Sequence, residues 1–537
     1  MAENDIRADL VVVGGGLGGI AAALAALELG LRVVMTAPGE WLGGQLTAQG
    51  VPPDEPRWIE EIAPTSSYAR MRELTRRAYL EDYPLAADVR AAAHLNPGAA
   101  RVSRICAEPR VSAQVIERML SPHLADGTLT VLRHRVPVAV DRAGDTLTAV
   151  TVRDTRDGRE TCLPGRYFAD ATELGDLLPL AEVAHVIGAE ARGETGELHA
   201  PEIADPLDQQ AVTWCAALEF DPDGEHVIDR PAGYEAWRTR RAPFWPGPQL
   251  SWRALNVRTL DPVDMPLFPT PGSELDLWQD TDLWRYRRVL ASESFDRGWR
   301  GNEVTIVNWP HNDYWDEPLL DAHGTYDDAA AERARGLTLA LVHWMQTEAP
   351  RHDGGVGYPE LRLRGDVLGT DDGLAQEPYI RESRRIRALF TVTEEHIGEE
   401  MRGGGAGAAV FADTVGIGSY RIDLHPSTAG RSYVDIGCFP FQIPLGALLP
   451  ADTGNLLAAN KNIGTTHISN GAYRLHPVEW SIGVAVGAVA ALCIAERRLP
   501  RDLLADEALL ETLQQQVLAR RLGVELEWPE RLRALDG

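Results

Sequence analysis

Apolar positions change their spacing sharply along the chain. Near the start, Leu10–Val13 is a short β-branched run that stops at Gly14-Gly15-Gly16-Leu17-Gly18-Gly19. An Ala/Leu-rich helical pattern follows from Ile20 to Leu29, Gly30 ends it, and Leu31–Thr36 reads as a second buried strand. Strand, glycine turn, helix and strand make the start of a βαβ unit. After the breakers Pro52-Pro53-Asp54-Glu55-Pro56, the spacing predicts helices over 57–80 and 110–126. Two strands are predicted over 128–152, turning at Arg142–Asp145, with further strand over 159–171.

Residues 185–400 are different. They are rich in Trp, Pro and charge, hold few long apolar runs, and carry breaker-rich stretches at 221–248 and 259–275. One helix is predicted there, over 329–347. Residues 410–495 return to an apolar, Gly-rich pattern, and 501–523 read as a charged amphipathic helix. The division this implies is a cofactor domain in two parts, residues 1–184 and 410–500. A substrate domain, 185–409, is inserted between them, and a helical segment, 501–537, closes the chain.

The glycine turn has the spacing G-x-G-x-x-G at Gly14, Gly16 and Gly19. In a dinucleotide site the first glycine makes the tight turn, the second lets the pyrophosphate approach the backbone, and the third lets helix and strand pack closely. Free N–H groups and the positive end of the helix dipole, at Leu17 and Gly18, then face the phosphates. One part is missing. The acid that binds the ribose belongs at the end of the second strand, where this chain has Ala37; Thr36 and Glu40 are the nearest polar residues. Gly403-Gly404-Gly405-Ala406-Gly407-Ala408 follows a helical pattern and no strand, so it reads as a loop and not as a second nucleotide site.

Composition narrows the partners. Among 537 residues the formal net charge is −27, the wrong sign for nucleic acid or an anionic membrane surface. A single lysine, Lys461, stands among the arginines, as a GC-rich coding bias would give. The five cysteines form no C-x-x-C pair and match no zinc or disulfide framework, which fits a reduced, cytoplasmic setting and no metal. The acidic N-terminus does not read as a signal peptide. The apolar run Trp480–Ala495 is shorter than the ~20 residues a membrane span takes and reads as a buried helix.

Four separated blocks resemble one family. Trp41-Leu42-Gly43-Gly44-Gln45-Leu46-Thr47 with Val51-Pro52-Pro53-Asp54-Glu55 is similar to the FAD-dependent oxidoreductase family of the glutathione-reductase-like flavoproteins. So are Phe168–Asp176, Tyr379–Ile386 and Asn455–Ile463 with Tyr473–Pro477. The resemblance implies an α/β fold, a Rossmann-type FAD-binding domain (GR2-like) with an inserted α+β substrate domain, and FAD as cofactor. It implicates Gly43, Gly44, Gln45 and Thr47 near the flavin. It implicates Asp170, Ala171 and Thr172 in the turn that closes over the cofactor. It also implicates Arg474, Pro477 and Gly483 in a second FAD segment, where Pro477 suits the first helical position.

Without a C-x-x-C pair or an NAD(P)H fingerprint, the expected reaction is hydride removal from a small polar metabolite onto flavin N5, by a dehydrogenase or oxidase, in specialised metabolism. A flavin monooxygenase and a non-catalytic FAD-binding scaffold are the rivals. Asn308–Trp315 is the densest polar–aromatic cluster and offers His311 as base and Tyr314 as proton donor, set against a surface loop that packs its aromatics on the core. Arg381 is a candidate anion clamp and shares a face with Arg385 if the segment is helical; the alternative is ion pairing with Glu382 and Glu394. His467 is a candidate contact to flavin or substrate, and His476 a weaker one. The oligomeric state, including a homo-oligomer, stays open.

Overall fold

The computed structural model describes residues 8–269, 282–403 and 407–533. The expected acidic start Met1–Asp5, part of the 259–275 stretch, residues 404–406 of the glycine loop and residues 534–537 lie outside these.

Strand β1 (Ala8–Val13) leads through the glycine turn into helix α1 (Leu17–Glu28) and strand β2 (Val33–Ala37). Helix α2 covers Ser66–Asp82. It starts later than its apolar spacing predicts because Thr65 caps it, accepting from Tyr68 N at 3.1 Å. Helix α3 (Pro109–Asp126) carries proline in its first turn and ends at Gly127 in the left-handed region. The next segment forms not two strands but three, β3 (Leu129–Arg133), β4 (Arg135–Ala143) and β5 (Thr146–Asp154), before β6 (Glu160–Asp170). His134, at φ 56°, makes the extra break.

These strands form one mixed sheet in the order β3-β2-β1-β6-β5-β4. The β1, β2, β3 and β6 pairings are parallel, and β4-β5 and β5-β6 are antiparallel. Between β6 and the chain's return to this sheet lies a second, antiparallel sheet. It contains β7 (Ala216–Phe220), β8 (Arg288–Leu290), β9 (Val304–Val307) and β10 (Leu361–Leu363), in the order β8-β9-β7-β10. Helix α4 (Asp328–Thr347) packs its apolar face into the core of that sheet, with Leu218, Val307, Leu341 and Trp344 in one cluster.

Strand β11 (Leu456–Ala458) then pairs in parallel with β6, so residues near 457 complete a sheet begun near residue 10. Helices α5 (His467–Tyr473) and α6 (His476–Glu496) follow. Pro477 is the second residue of α6, not the first. At 21 residues and a mean hydropathy of 2.0, α6 is long and apolar enough to cross a bilayer, and 83% of its apolar window is buried inside the protein. It is the central core helix, crossing α1 at close range.

One expected helix differs, and the sequence leaves one segment open between helix and extended chain. The 501–523 segment breaks into Pro500–Ala505, Glu507–Glu511 and a wider coil over Thr512–Arg521. The Asp506 side chain accepts from Leu509 N at 3.2 Å and starts a new helix there. The 379–386 segment is extended, because Tyr379 exchanges backbone hydrogen bonds with Thr213 at 2.7 and 3.2 Å and Arg385–Ile386 pairs with His185–Val186. Arg381 and Arg385 therefore do not share a helix face.

Candidate functional site

Three segments remote in sequence meet at the N-terminus of α1. Gly14 turns at φ +106°, and a Cβ on it would stand 2.2 Å from the Ala171 carbonyl oxygen, so the turns after β1 and β6 pack backbone to backbone. Gly43 N donates to the Gly15 carbonyl at 2.7 Å, which presses the Gly43-Gly44 pair onto the same turn. From the third segment, Gly483 lies so close to Gly18 that its Cβ would be 2.0 Å from the Gly18 oxygen. Leu17 and Gly19 are buried within this junction.

The cradle these segments form is polar. A Cβ on Gly16 would meet Glu173 Oε1 at 2.8 Å, Asn460 Nδ2 at 2.9 Å and Glu479 Oε1 at 3.3 Å. Gly18 N donates to Glu479 Oε1 at 3.1 Å, and Gln45 Nε2 donates to Glu479 Oε2 at 2.5 Å and to the Arg474 carbonyl at 3.1 Å. Lys461 Nζ pairs with Glu173 and stands 3.8 Å from Glu479 Oε2. Burial pushes the Glu479 carboxyl up to about 7. Asp170 is also pushed up to about 7 by burial, although it accepts from Thr172 N, Thr172 Oγ1 and Leu177 N. Thr47 Oγ1 donates to the Leu42 carbonyl at 2.7 Å and holds the glycine pair in shape.

Gln45 leads from this cradle to a closed ring of polar side chains. Arg474 donates to the Tyr379 hydroxyl at 2.6 Å and to Asp423 Oδ2 at 3.1 Å. His425 Nε2 lies 3.7 Å from that Asp423 oxygen, and His425 Nδ1 lies 2.6 Å from Asp313 Oδ2. Asp313 Oδ1 accepts from Arg381 at 3.0 Å and from Thr213 at 2.5 Å. The Arg381 guanidinium then stacks 4.8 Å from the Tyr379 ring centroid, closing the ring. Burial raises the Asp313 pKa, but Arg381 and His425 outweigh it and hold the carboxyl below its ordinary range. An ionised Asp313 can only accept, so His425 Nδ1 is the donor of that pair.

The sequence pattern of FAD dependent oxidoreductases matches residues 9–517. The chain belongs to that family. No curated protein matches it. Among solved structures, OxyS anhydrotetracycline hydroxylase from Streptomyces rimosus aligns with 96% of this chain and 66% of its own, at 12% identity and a TM-score of 0.34. The myxobacterial chondrochloren halogenase CndH aligns with 42% of this chain and 46% of its own, at 16% identity and a TM-score of 0.23. For the glycerol-3-phosphate dehydrogenase from Bacillus halodurans, complexed with FAD, the shares are 40% and 41%, at 10% identity and a TM-score of 0.26. Likenesses this loose carry no argument about this chain's reaction, and the match to the halogenase spans less than half of that protein's length.

The cradle suits the family's FAD. It is closed to side chains at Gly16, and its polar lining is incomplete: Glu173 Oε1, Gln45 Oε1 and both amide atoms of Gln49 are buried without a hydrogen-bond partner. A group with both donors and acceptors would satisfy them. The acid pair Glu173 and Glu479 is the part least suited to a diphosphate. Lys461 between them, and the proton Glu479 keeps to about pH 7, reduce that repulsion. The ribose end stays without its usual acid. Ala37 is buried opposite Arg133 in the sheet, Thr36 Oγ1 accepts from Gly14 N at 3.2 Å, and the Glu40 carboxylate lies 2.9 Å from His134 Nε2.

The other candidates from the sequence are placed as follows. His311 sits between Trp245 and Trp252, edge-on at 6.3 and 6.4 Å, and burial pushes its pKa down to about 4. The Tyr314 hydroxyl is bound by Glu317 at 2.7 Å and Arg333 at 3.2 Å, outside the ring. Asp313, between them in sequence, is the residue that enters the ring. His467 packs nearby on α5, its Nδ1 3.0 Å from Glu382 and its Nε2 2.6 Å from Arg431. Arg385 takes the ion-pairing alternative, with Glu382 at 2.5 Å and Glu190 at 3.1 Å. His476 is held on both nitrogens, accepting from Asp54 N at 3.1 Å and donating to the Val51 carbonyl at 3.2 Å, and burial pushes its pKa down to about 3. His425 and Asp423 were missed, since their stretch carries no motif. Glu173 and Lys461 lay within blocks that the resemblance already marked.

Proposed function

We propose that this FAD-dependent oxidoreductase is a dehydrogenase or oxidase that removes a hydride from a C–H bond of a small polar metabolite, with a proton leaving the adjacent N, O or carbon as the C=N, C=O or C=C bond forms. The supporting observation is the His425–Asp313 pair, set in a ring that is buried except at the partly exposed His425 and Asp423 and that Gln45 joins to the glycine cradle. The flavin, when bound, supplies the hydride acceptor. His425 Nε2 takes the proton that leaves the substrate, Asp313 orients the imidazole and stabilises its charge, and Arg381 fixes Asp313. This moves the base from His311 to His425, because His311 is enclosed by tryptophan rings. Arg474, Tyr379 and Thr213 hold the ring rigid, which positions the proton acceptor without reorganisation.

The same reading makes residues 1–184 and 410–500 a Rossmann-type, GR2-like cofactor domain and 185–409 its substrate domain. A hydrophobic cluster centred on each sheet supports that division, with Ile386, Val392 and Ile397 packing back into the first and a third cluster joining Val51 and Tyr79 to Ala217 and Val304. The partner is a small molecule and neither nucleic acid nor membrane, in keeping with the charge of −27. Five free cysteines fit a cytoplasmic setting.

The test is anaerobic reduction of the purified, flavin-loaded protein. A small polar metabolite should bleach the visible flavin bands. Asp313→Asn should keep its FAD and slow the bleaching by about 10²-fold or more. Bleaching by NADPH alone would indicate a monooxygenase instead, and colour that persists with every metabolite would indicate a protein without turnover.

A further inference from the structure

Arg287 has no task in the reaction outlined above. It follows the short helix Leu283–Tyr286 and precedes β8, so its side chain reaches the site from the second sheet. It is 8% exposed. Its carboxylate partner is Asp54, whose Oδ1 is 3.4 Å and Oδ2 3.5 Å from Nη2, a long contact for an ion pair. Arg287 Nε and Nη1 have no hydrogen-bond partner among the described residues. A guanidinium carries five N–H donors, and one buried with most of them unpaired is unfavourable unless a ligand or water completes it.

Its neighbours have the same deficit. Arg381 Nε and Arg474 Nε are also buried and unpartnered. Arg474 and Arg381 both touch Tyr379, and the Tyr379 hydroxyl lies within electrostatic reach of Arg287 and Asp54 as well, so the three guanidiniums gather around one side chain. Asp313 and Asp423 are already committed, at 3.0 and 3.1 Å, to Arg381 and Arg474. The unpaired atoms of all three arginines are donors, so the missing partner is an acceptor. The Arg287 guanidinium lies 5.1 Å from the Tyr286 ring centroid and within electrostatic reach of Tyr420, and both tyrosines are only half-buried.

We propose that Arg287 binds the carboxylate of the substrate, which makes the substrate class a small organic acid. This rests on the reading that the adjoining ring is the reaction site. A planar carboxylate matches the guanidinium fork with two parallel hydrogen bonds, and it is an acceptor only. Asp54 is a positioning residue. Its backbone N–H is anchored on His476 and its carboxylate holds one end of the guanidinium, leaving the other donors free. As a fixed negative charge it also competes with the ligand.

The experiment measures binding of acetate and benzoate, with ethanol and benzyl alcohol as neutral counterparts. It reads the thermal midpoint and the visible flavin spectrum of the flavin-loaded protein. The carboxylates should raise the midpoint and perturb the spectrum, and the alcohols should do neither. Arg287→Met should weaken carboxylate binding at least tenfold while FAD content stays normal. Arg287→Lys should keep part of the affinity, since it keeps the charge and loses the fork. Asp54→Asn should tighten binding, and it decides the matter if Arg287→Met fails to fold. Equal responses to acids and alcohols, unchanged binding in Arg287→Met, or unchanged or weaker binding in Asp54→Asn would each overturn the proposal. If the protein holds no FAD, the functional reading fails on its own. The carboxylate-induced midpoint shift of the apoprotein then still supports the anion site by its presence or overturns it by its absence.

Discussion

At Gly16 a single methyl group separates a usable cradle from a blocked one. Its missing side chain faces Glu173, Asn460 and Glu479, all buried or nearly so and engaged with Lys461, Gln45 or the backbone. Gly16→Val would push into these groups and into the space through which a diphosphate approaches the backbone. The expected result is a protein that elutes from gel filtration without flavin absorbance; a normal FAD content would move the cofactor elsewhere. The ring residues teach a different lesson. The cluster Asn308–Trp315 was marked by its density of polar and aromatic side chains, yet alternate residues of one short turn point to different environments. His311 goes to the tryptophans, Asp313 to Arg381 and His425, and Tyr314 to Glu317. Composition marks such a turn but does not say which of its side chains faces the site.

Among elements, the crossing of α1 and α6 matters most. Gly18 faces Gly483 and the Ala22 carbonyl faces Gly487, where a Cβ would stand 2.4 Å from that oxygen. Both contacts are with backbone, which cannot rotate aside. By helix propensity alone Gly483→Ala would gain up to ~1 kcal/mol. The close approach reverses the sign, and we expect a loss of about 1–3 kcal/mol from overpacking. The same change would disturb Gly18 and so lower FAD retention. Urea unfolding of the purified variant measures this directly; a gain in stability would mean that the two helices stand further apart. The small residues of α6 were legible in the sequence, but their partners, 465 positions away, were not.

For the whole molecule, the buried acids give stability a definite slope with pH. Asp170 ionises near 7 when folded and near ~4 when unfolded, so the folded state holds its proton more tightly. Its contribution is full below the unfolded value and is lost as pH rises through about 7. Glu197 and Glu377, also pushed up to about 7 by burial, act in the same direction. Glu60 acts oppositely. Burial raises it, but Arg72 and Arg76 prevail and bring it down to about 2, so its contribution is present above the ordinary value and lost only as pH falls through 2. His311 and His476, whose pKa values burial lowers, act in the opposite direction below about 6.5. The thermal midpoint of the apoprotein should therefore fall chiefly between about pH 6.5 and 8, and fall less in Asp170→Asn. Equal slopes in the two proteins would show that Asp170 is already ionised in the fold.

The sequence alone determined what depends on neighbours along the chain: the glycine turn between strand and helix, α3 and α4, and the apolar run of α6. It also carried the segments that join as the cradle, because tight backbone approach demands glycine wherever it occurs and so leaves a local trace. The site's chemistry was decided only by tertiary structure. His425 and Asp313, 112 positions apart, and Arg287 and Asp54, 233 apart, meet because two sheets bring their strands and loops to one volume. An isolated histidine or arginine has no spacing to betray it. Its function comes from burial and from a partner, and both are set only when distant parts of the chain pack together.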